Sequence, residues 1–165
     1  GVALVALEGT GERILHVETI TTQPSAKKRR VLQADDNVRR CRELSARLLF
    51  LVGQHHPRCI CAESMSHPRA SGAAAKLAMS WGALSFVAEL LALPLVQASP
   101  QAIKRALTGK ADASKVDVQA ALVARYGPIP WPTRKEDVEH SADALAAVVA
   151  CLDSDVVRMV RRMAA

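Results

Sequence analysis

The sequence predicts an α/β protein in which a mixed β-sheet is flanked by α-helices, and three observations favour this class. Two β-rich runs open the chain on either side of a glycine-containing turn, "EGTGE". Two short apolar runs, "RCICA" and "PLVQAS", each stand later between helical patterns. The resulting order is a hairpin followed by strand–helix units, which is typical of a mixed sheet covered by helices.

The bulk composition limits the classes of protein to consider. The 165 residues suffice for one domain with a hydrophobic core, and we expect residues 1–165 to form a single domain. Aromatic residues make up only 3% of the chain, so alanine, leucine and valine must fill that core. No apolar run reaches the roughly 18–20 residues that span a bilayer, so a soluble, cytoplasmic protein is expected. The four cysteines form no CxxC pair, which favours reduced thiols over a zinc site.

The first half of the chain divides into recognisable elements. "GVALVAL" and "RILHVETITT" predict an antiparallel hairpin. The basic run "PSAKKRR" follows as a loop that either contacts phosphate or is simply solvated. Apolar residues at three- and four-residue steps predict a helix from Asp35 to His56, which Pro57 ends. "RCICA" then predicts a short buried strand with Glu63 at its carboxyl end.

The second half is mostly helical. Residues 70–92 predict a helix that is apolar nearly all round, which indicates burial both by its own domain and by a partner; complete burial in a monomer is the alternative. After the strand "PLVQAS", Ser99 caps a helix that has Pro100 at its first position. Residues 114–126 predict another helix, and the last helix is expected to run from Val138 to Met163.

A candidate site follows from the acidic residues. Ligands in open α/β sheets bind beyond the carboxyl ends of the strands, where Glu63 is expected. His140 and Asp143 stand three residues apart, so they share one helix face. Two carboxylates and an imidazole suit Mg²⁺ or Mn²⁺, and two such ions can drive phosphodiester hydrolysis. Each residue alone also has a plainer interpretation: Glu63 as a solvated strand end, and Asp143 as a carboxylate at a helix N-terminus.

Four short motifs, in order and correctly spaced, give the chain a family resemblance. They are "CAE" at 61–63, Gly82 in the next helix, "IKRALTGKADASKVDVQ" at 103–119 and "HSADALA" at 140–146. Together they resemble the RuvC family of Holliday-junction resolvases, nucleases with the ribonuclease H-like fold. The resemblance covers nearly the whole chain.

The resemblance implies a role for each matching residue. Glu63 and Asp143 would bind metal, and His140 would be a further ligand or a proton-transfer group. Lys115 would stabilise charge at the scissile phosphate, and Lys104 would contact DNA or the same phosphate. We expect additional basic side chains to bind DNA, since cations neutralise phosphates; these are Lys110, Arg69 and Lys76.

The chain departs from the family pattern at two places. The family begins with a strand bearing an aspartate, and Gly1 corresponds to a glycine that follows it, so that aspartate is expected upstream of Gly1. The family often has an aromatic residue three positions after the glutamate, where Ser66 stands here. Met65, His67 or Arg69 can substitute for it. The second departure affects junction opening and sequence preference more than hydrolysis.

The expected function is a divalent-metal-dependent endonuclease that resolves Holliday junctions by paired symmetric nicks in recombination and repair. A homodimer, joined through the helix at 70–92, suits the two-fold symmetry of the junction. A branch-migration helicase is a possible further partner, and Mg²⁺ or Mn²⁺ the cofactor, with two ions per site. The alternatives are a nuclease with broader specificity for flaps and forks, and a junction-binding module that does not cleave. A kinase-like ATPase is disfavoured because the chain has no glycine-rich phosphate loop.

Overall fold

The computed structural model describes residues 1–9, 11–26, 29–65 and 71–164. Its elements, in order, are β1 (Val2–Glu8), β2 (Gly11–Glu18), α1 (Gln33–His55), β3 (Ile60–Glu63), α2 (Ser71–Leu90), β4 (Leu95–Ala98), α3 (Pro100–Thr108), α4 (Lys115–Tyr126), α5 (Lys135–Cys151) and α6 (Asp155–Ala164). They form two compact units. One comprises residues 1–19, 57–64 and 94–165, and the other comprises residues 20–56 and 65–93.

The first unit contains all four strands. β1 and β2 pair antiparallel, with a register irregularity between Leu4 and Val5. β3 and β4 pair in parallel, with Glu63 opposite Ala98. The predicted mixture of antiparallel and parallel pairing is therefore present. In the part of the chain that the structure describes, however, the strands are hydrogen-bonded only within these two pairs. Helix α5 packs against both pairs and so joins them through side chains.

The core of this unit is aliphatic, as the low content of aromatic residues predicted. Its buried residues are aliphatic: Ile103, Val118, Leu122, Ala142, Leu145, Ala146, Ala147 and Val149. Leu122 and Leu145 are completely buried. The alanines all come from α5, and their small side chains let the strands approach that helix closely.

Side-chain caps fix the beginnings of α3 and α4. Ser99 Oγ accepts a hydrogen bond from the N–H of Ala102, and Pro100 occupies the first helical position, as predicted. Ser114 and Asp117 form a capping box in which each side chain accepts from the other residue's backbone N–H. The cap places Lys115 at the first position of α4.

The last helix differs from its prediction. It begins at Lys135 rather than near Val138, and it ends at Cys151, after which α6 starts at Asp155. Ser154 explains the break, because its hydroxyl accepts from the N–H of Val157 and starts a new helix. Glu12 on β2 then ties α6 to the hairpin through an ion pair with Arg161, Nη2 to Oε1 2.9 Å.

The second unit consists of α1, α2 and the segment before α1. The bounds of α1 agree with the prediction, and α1 packs against α2. Asp36 is buried and accepts hydrogen bonds from Ser25 and Arg39. These hydrogen bonds, of which that from Ser25 has the larger effect, lower the pKa of the Asp36 carboxyl to about 2. On α2, Val87 is buried whereas Phe86 is 60% exposed. The apolar character of α2 on more than one face is thus confirmed.

Two further sequence predictions concern the basic loop and membrane-spanning segments. Lys27 and Lys28 of the basic loop lie outside the described residues, and Arg29 and Arg30 are exposed. Within the described ranges, no helix is both long and apolar enough to cross a membrane.

Candidate functional site

Glu63 occupies the carboxyl end of the parallel strand pair, as predicted. It is the last residue of β3, and the chain stays hydrogen-bonded to β4 one residue further, since the N–H of Ser64 donates to Ala98 O at 2.8 Å. The Glu63 side chain is half-buried. This is the edge of an α/β sheet at which ligands bind.

Asp143 is half-buried on α5, well inside the helix. Because α5 begins at Lys135, the first-turn carboxylates are Glu136 and Asp137, and stabilisation of the helix N-terminus is not the role of Asp143. The hairpin fixes this end of α5, since Thr19 Oγ1 donates to Asp137 O at 2.7 Å. Asp143 is therefore a partly desolvated carboxylate that the fold does not require for capping.

Glu63 and Asp143 share one electrostatic environment. Burial raises the pKa of Glu63, and the negative charge of Asp143 raises it further, while Lys115 and Lys104 act in the opposite direction. Burial likewise raises the pKa of Asp143, against the lowering effects of Lys115 and His140. Two partly desolvated carboxyls with raised pKa values in one environment are a mark of a candidate functional site.

The two predicted lysines lie at this site on different helices. Lys104 is half-buried on α3, and Lys115 is exposed at the start of α4. Lys115 Nζ lies 2.7 Å from Glu139 Oε2, and this hydrogen bond is the largest cause of the raised pKa of Lys115. Both ammonium groups act on the Glu63 carboxyl. The structure thus brings Glu63, Asp143, Lys104 and Lys115 together.

His140 lies on α5 near this group but is exposed. Its charge lowers the pKa of Asp143, so it is within electrostatic reach of that carboxylate. Among residues 1–9, 11–26, 29–65 and 71–164, however, no three His, Cys, Asp or Glu side chains are grouped closely enough to hold a metal ion. The three predicted metal ligands therefore do not close a metal cage by themselves.

Gly1 lies directly against the front of α5. A Cβ atom built on Gly1 would come within 1.9 Å of His140 O and 2.6 Å of Ser141 N. A Cβ there would require a shift of the Gly1 backbone or of the α5 backbone that carries His140. The geometry of the site thus depends on a close backbone approach at Gly1.

The remaining predicted DNA contacts are scattered. Lys110 is exposed in the loop between α3 and α4, within the same unit as the site. Lys76 is exposed on α2, in the other unit. Arg69 lies outside the described residues, as do Ser66 and His67.

Glu139 is a site residue that the sequence reasoning missed. It precedes His140, and it stands four residues before Asp143, so both carboxylates project from one face of α5. That spacing was visible in the sequence. Its partner Lys115 is 24 positions away, and only the packing of α4 against α5 brings the two together.

The fold and the site define an α/β domain with paired carboxylates at the end of a parallel strand pair and lysines around them. The family described as "Crossover junction endodeoxyribonuclease RuvC" matches residues 1–151. The chain belongs to the RuvC family.

Relatives of known sequence agree with this assignment. The RuvC of Protochlamydia amoebophila is 31% identical over 99 residues, which are 60% of this chain and 56% of that protein. The RuvC of Chlamydia abortus is 30% identical over 120 residues, which are 73% of this chain and 72% of that protein. The chain thus spans 56% of the length of the first of these relatives and 72% of the length of the second.

Solved structures share the fold. The structure described as "Thermus thermophilus RuvC structure" matches with a TM-score of 0.72 at 24% identity, covering 98% of this chain and 88% of the other. A second, of T. thermophilus RuvC in complex with Holliday junction substrate, matches with a TM-score of 0.70 at 26% identity, covering 90% and 82%. The ribonuclease H-like α/β class predicted from the sequence is confirmed.

Proposed function

We propose that this protein is a structure-selective endonuclease that resolves Holliday junctions by paired symmetric nicks, in recombination and repair. The observation that carries the proposal is the shared electrostatic environment of Glu63, Asp143, Lys104 and Lys115, in a chain of the RuvC family. Hydrolysis of a phosphodiester needs negative charge to be stabilised on the phosphate and on the leaving oxygen. A site that combines carboxylates with ammonium groups suits this chemistry.

The donor set fits a divalent cation. Glu63 and Asp143 provide carboxylate oxygens, which are the ligands that Mg²⁺ and Mn²⁺ prefer. Burial raises the pKa of both carboxyls, and the charge of Asp143 adds to the rise at Glu63; a bound cation would relieve that repulsion. When bound, such a cation supplies an activated water and neutralises the leaving oxygen. We propose two ions per site, with His140 as an additional ligand or a proton-transfer group.

The aspartate expected upstream of Gly1 stays a prediction. The position of Gly1 supports it, because its backbone lies against the His140–Ser141 peptide, near Asp143. The expected aspartate would supply a third carboxylate. A longer chain of this protein, sequenced upstream of Gly1, would show an aspartate within a few residues if this is right.

The protein's own cationic groups would hold the DNA. Lys115 is proposed to stabilise the charge that develops on the scissile phosphate, and Lys104 to bind the same or a neighbouring phosphate. Lys110 is exposed close to α4 and is proposed to contact the backbone further along, with Lys76 and Arg69 as additional contacts. The net charge of +6 favours such a polyanion.

A homodimer is proposed as the active assembly. A two-fold dimer would place one site on each of two equivalent strands of a four-way junction. Phe86 and Leu90 are 60% and 57% exposed on α2, the helix predicted to form the interface. Sedimentation of the protein at micromolar concentration should show a dimer, and a strict monomer would contradict the symmetric mechanism. A branch-migration helicase is proposed as a further partner.

Cleavage of defined DNA substrates tests the function. The protein is incubated with a labelled four-way junction, a linear duplex and a flap, with Mg²⁺ or with a chelator. We expect metal-dependent cutting of the junction in preference to the others. Equal cutting of duplex and junction would contradict the resolvase function, and preference for the flap would favour a broader branched-DNA nuclease.

Matched variants then test the site. Glu63→Gln and Asp143→Asn should abolish cutting while junction binding is retained, because each removes one carboxylate charge without changing side-chain size. Lys115→Ala should lower the rate by about 100- to 1,000-fold, as expected for a group that stabilises transition-state charge. Asp153→Asn is the control, since that carboxylate is 98% exposed in the turn before α6.

A further inference from the structure

A carboxylate that belongs to none of the motifs contacts the proposed phosphate-binding lysine. Glu139 Oε2 lies 2.7 Å from Lys115 Nζ, and the pair connects α5 to the start of α4. The Lys115 side chain is 62% exposed and that of Glu139 is 34% exposed. An exposed pair of this kind contributes little to the stability of a protein. Its effect is to restrict where the long lysine side chain can be.

The restriction of the Lys115 side chain matters because the ion pair lies beside the paired carboxylates. The backbone of Lys115 is already fixed, because Ser114 and Asp117 form the capping box of α4. Glu139 stands one helical turn before Asp143, on the same face of α5. An ammonium held by Glu139 is therefore kept beside Asp143, and its charge also reaches Glu63. Without Glu139, the lysine could extend into solvent.

Glu139 differs from Glu136, the other glutamate on α5. Glu136 also forms an ion pair, with Arg134 at 3.0 Å, but its side chain is 77% exposed, and this pair lies within the first turn. Nor does Glu139 complete a group of three metal ligands among the described residues. Its hydrogen-bonded partner in the described part of the chain is Lys115.

We infer that Glu139 is a positioning residue, which holds the Lys115 ammonium at the paired carboxylates in readiness for the scissile phosphate. This inference rests on the proposed nuclease function. It adds to that function a residue that acts by holding Lys115 and touches neither DNA nor metal.

The kinetic test compares three variants on the four-way junction. Glu139→Gln should lower kcat by about tenfold, as expected when a reacting group is misplaced, and should leave KM within about twofold. Glu139→Asp keeps the charge and should recover part of the rate. Glu136→Gln is the matched control and should cut like the wild type. Equal rates for Glu139→Gln and Glu136→Gln, or a loss that appears in KM alone, would overturn the inference.

A second test does not depend on activity. A carbodiimide joins a lysine to a carboxylate without a spacer, so it should link Lys115 to Glu139 in the wild-type protein, and mass spectrometry of the digest would identify the linked peptides. If the link forms but the wild type cuts no DNA, the proposed function fails while the pairing stands. If the wild type cuts the junction but the link does not form, the positioning role fails while the nuclease stands.

Discussion

Replacing Asp143 by asparagine should make the metal-free protein more stable at pH 7, although it should abolish cleavage. Asp143 is half-buried, and burial is the main reason that its pKa lies above the ordinary value of 3.8. A carboxyl whose pKa is raised by folding favours the folded state only while it is protonated. That contribution is complete below the ordinary pKa and is lost as the pH rises through the raised one. At pH 7 the ionised side chain therefore lowers the stability of the folded state. The neutral asparagine removes this cost without changing the side-chain volume.

The size of the effect follows from the chain length. Relief of one unfavourable charge at a partly desolvated position is worth about 0.5–2 kcal/mol. For a protein of 165 residues, each kcal/mol moves Tm by about 2–4 °C. We therefore expect Asp143→Asn to raise Tm by about 1–8 °C at pH 7. The gain should disappear at acid pH, where the wild-type carboxyl is protonated as well.

Thermal unfolding in a chelating buffer measures this difference, with Asp153→Asn as the matched control because that carboxylate is 98% exposed. The control should unfold at the wild-type temperature. Added Mg²⁺ should then stabilise the wild type more than Asp143→Asn, since a ligand that binds the folded state alone raises its stability. A lower Tm for Asp143→Asn at pH 7 without metal would refute the electrostatic account of the site.

Three further predictions concern packing and capping. Leu145→Ala should lower the free energy of unfolding by about 2–5 kcal/mol in urea titrations, because Leu145 is completely buried in the core; a loss below 1 kcal/mol would contradict that packing. Ser114→Ala removes the cap of α4 and should cost about 0.5–2 kcal/mol by the same measurement, and no loss would mean that the cap is dispensable. Gly1→Ala should slow junction cleavage by about tenfold, since its Cβ would collide with His140 O. Gly53→Ala, where a Cβ meets nothing within 4 Å, should cleave normally, and equal rates for the two glycine variants would disprove the close approach.

The strands and helices of this chain were largely predictable, because they depend on local patterns. Alternating or apolar runs predicted the hairpin and the two parallel strands, and Ser99 with Pro100 marked the beginning of α3. The end of the last helix was not predicted correctly. Apolar periodicity continues across residues 152–154, and it concealed the hydrogen bond from the Val157 N–H to the Ser154 hydroxyl that starts α6.

The candidate site was predictable only in part. Glu63, Asp143 and the two lysines were found through motif spacing, and the structure places them in one electrostatic environment. The contact between Lys115 and Glu139 was not found, because it depends on how two helices pack and on rotamers that no spacing specifies. The close approach of Gly1 to α5 was missed for the same reason: a glycine at the first position of a sequence gives no sign of what it will touch.

The small residues of α5 have a consequence for the choice of cation. This helix carries Asp143 and packs against the pair of strands that carries Glu63, and its buried core residues include three alanines. The spacing of the two carboxylates therefore depends on how closely α5 packs against this strand pair. Because selectivity among divalent cations depends on ionic radius and cavity size, a change such as Ala146→Val could alter the preferred ion while every ligand stays the same. Metal preference could then change through substitutions in the hydrophobic core alone.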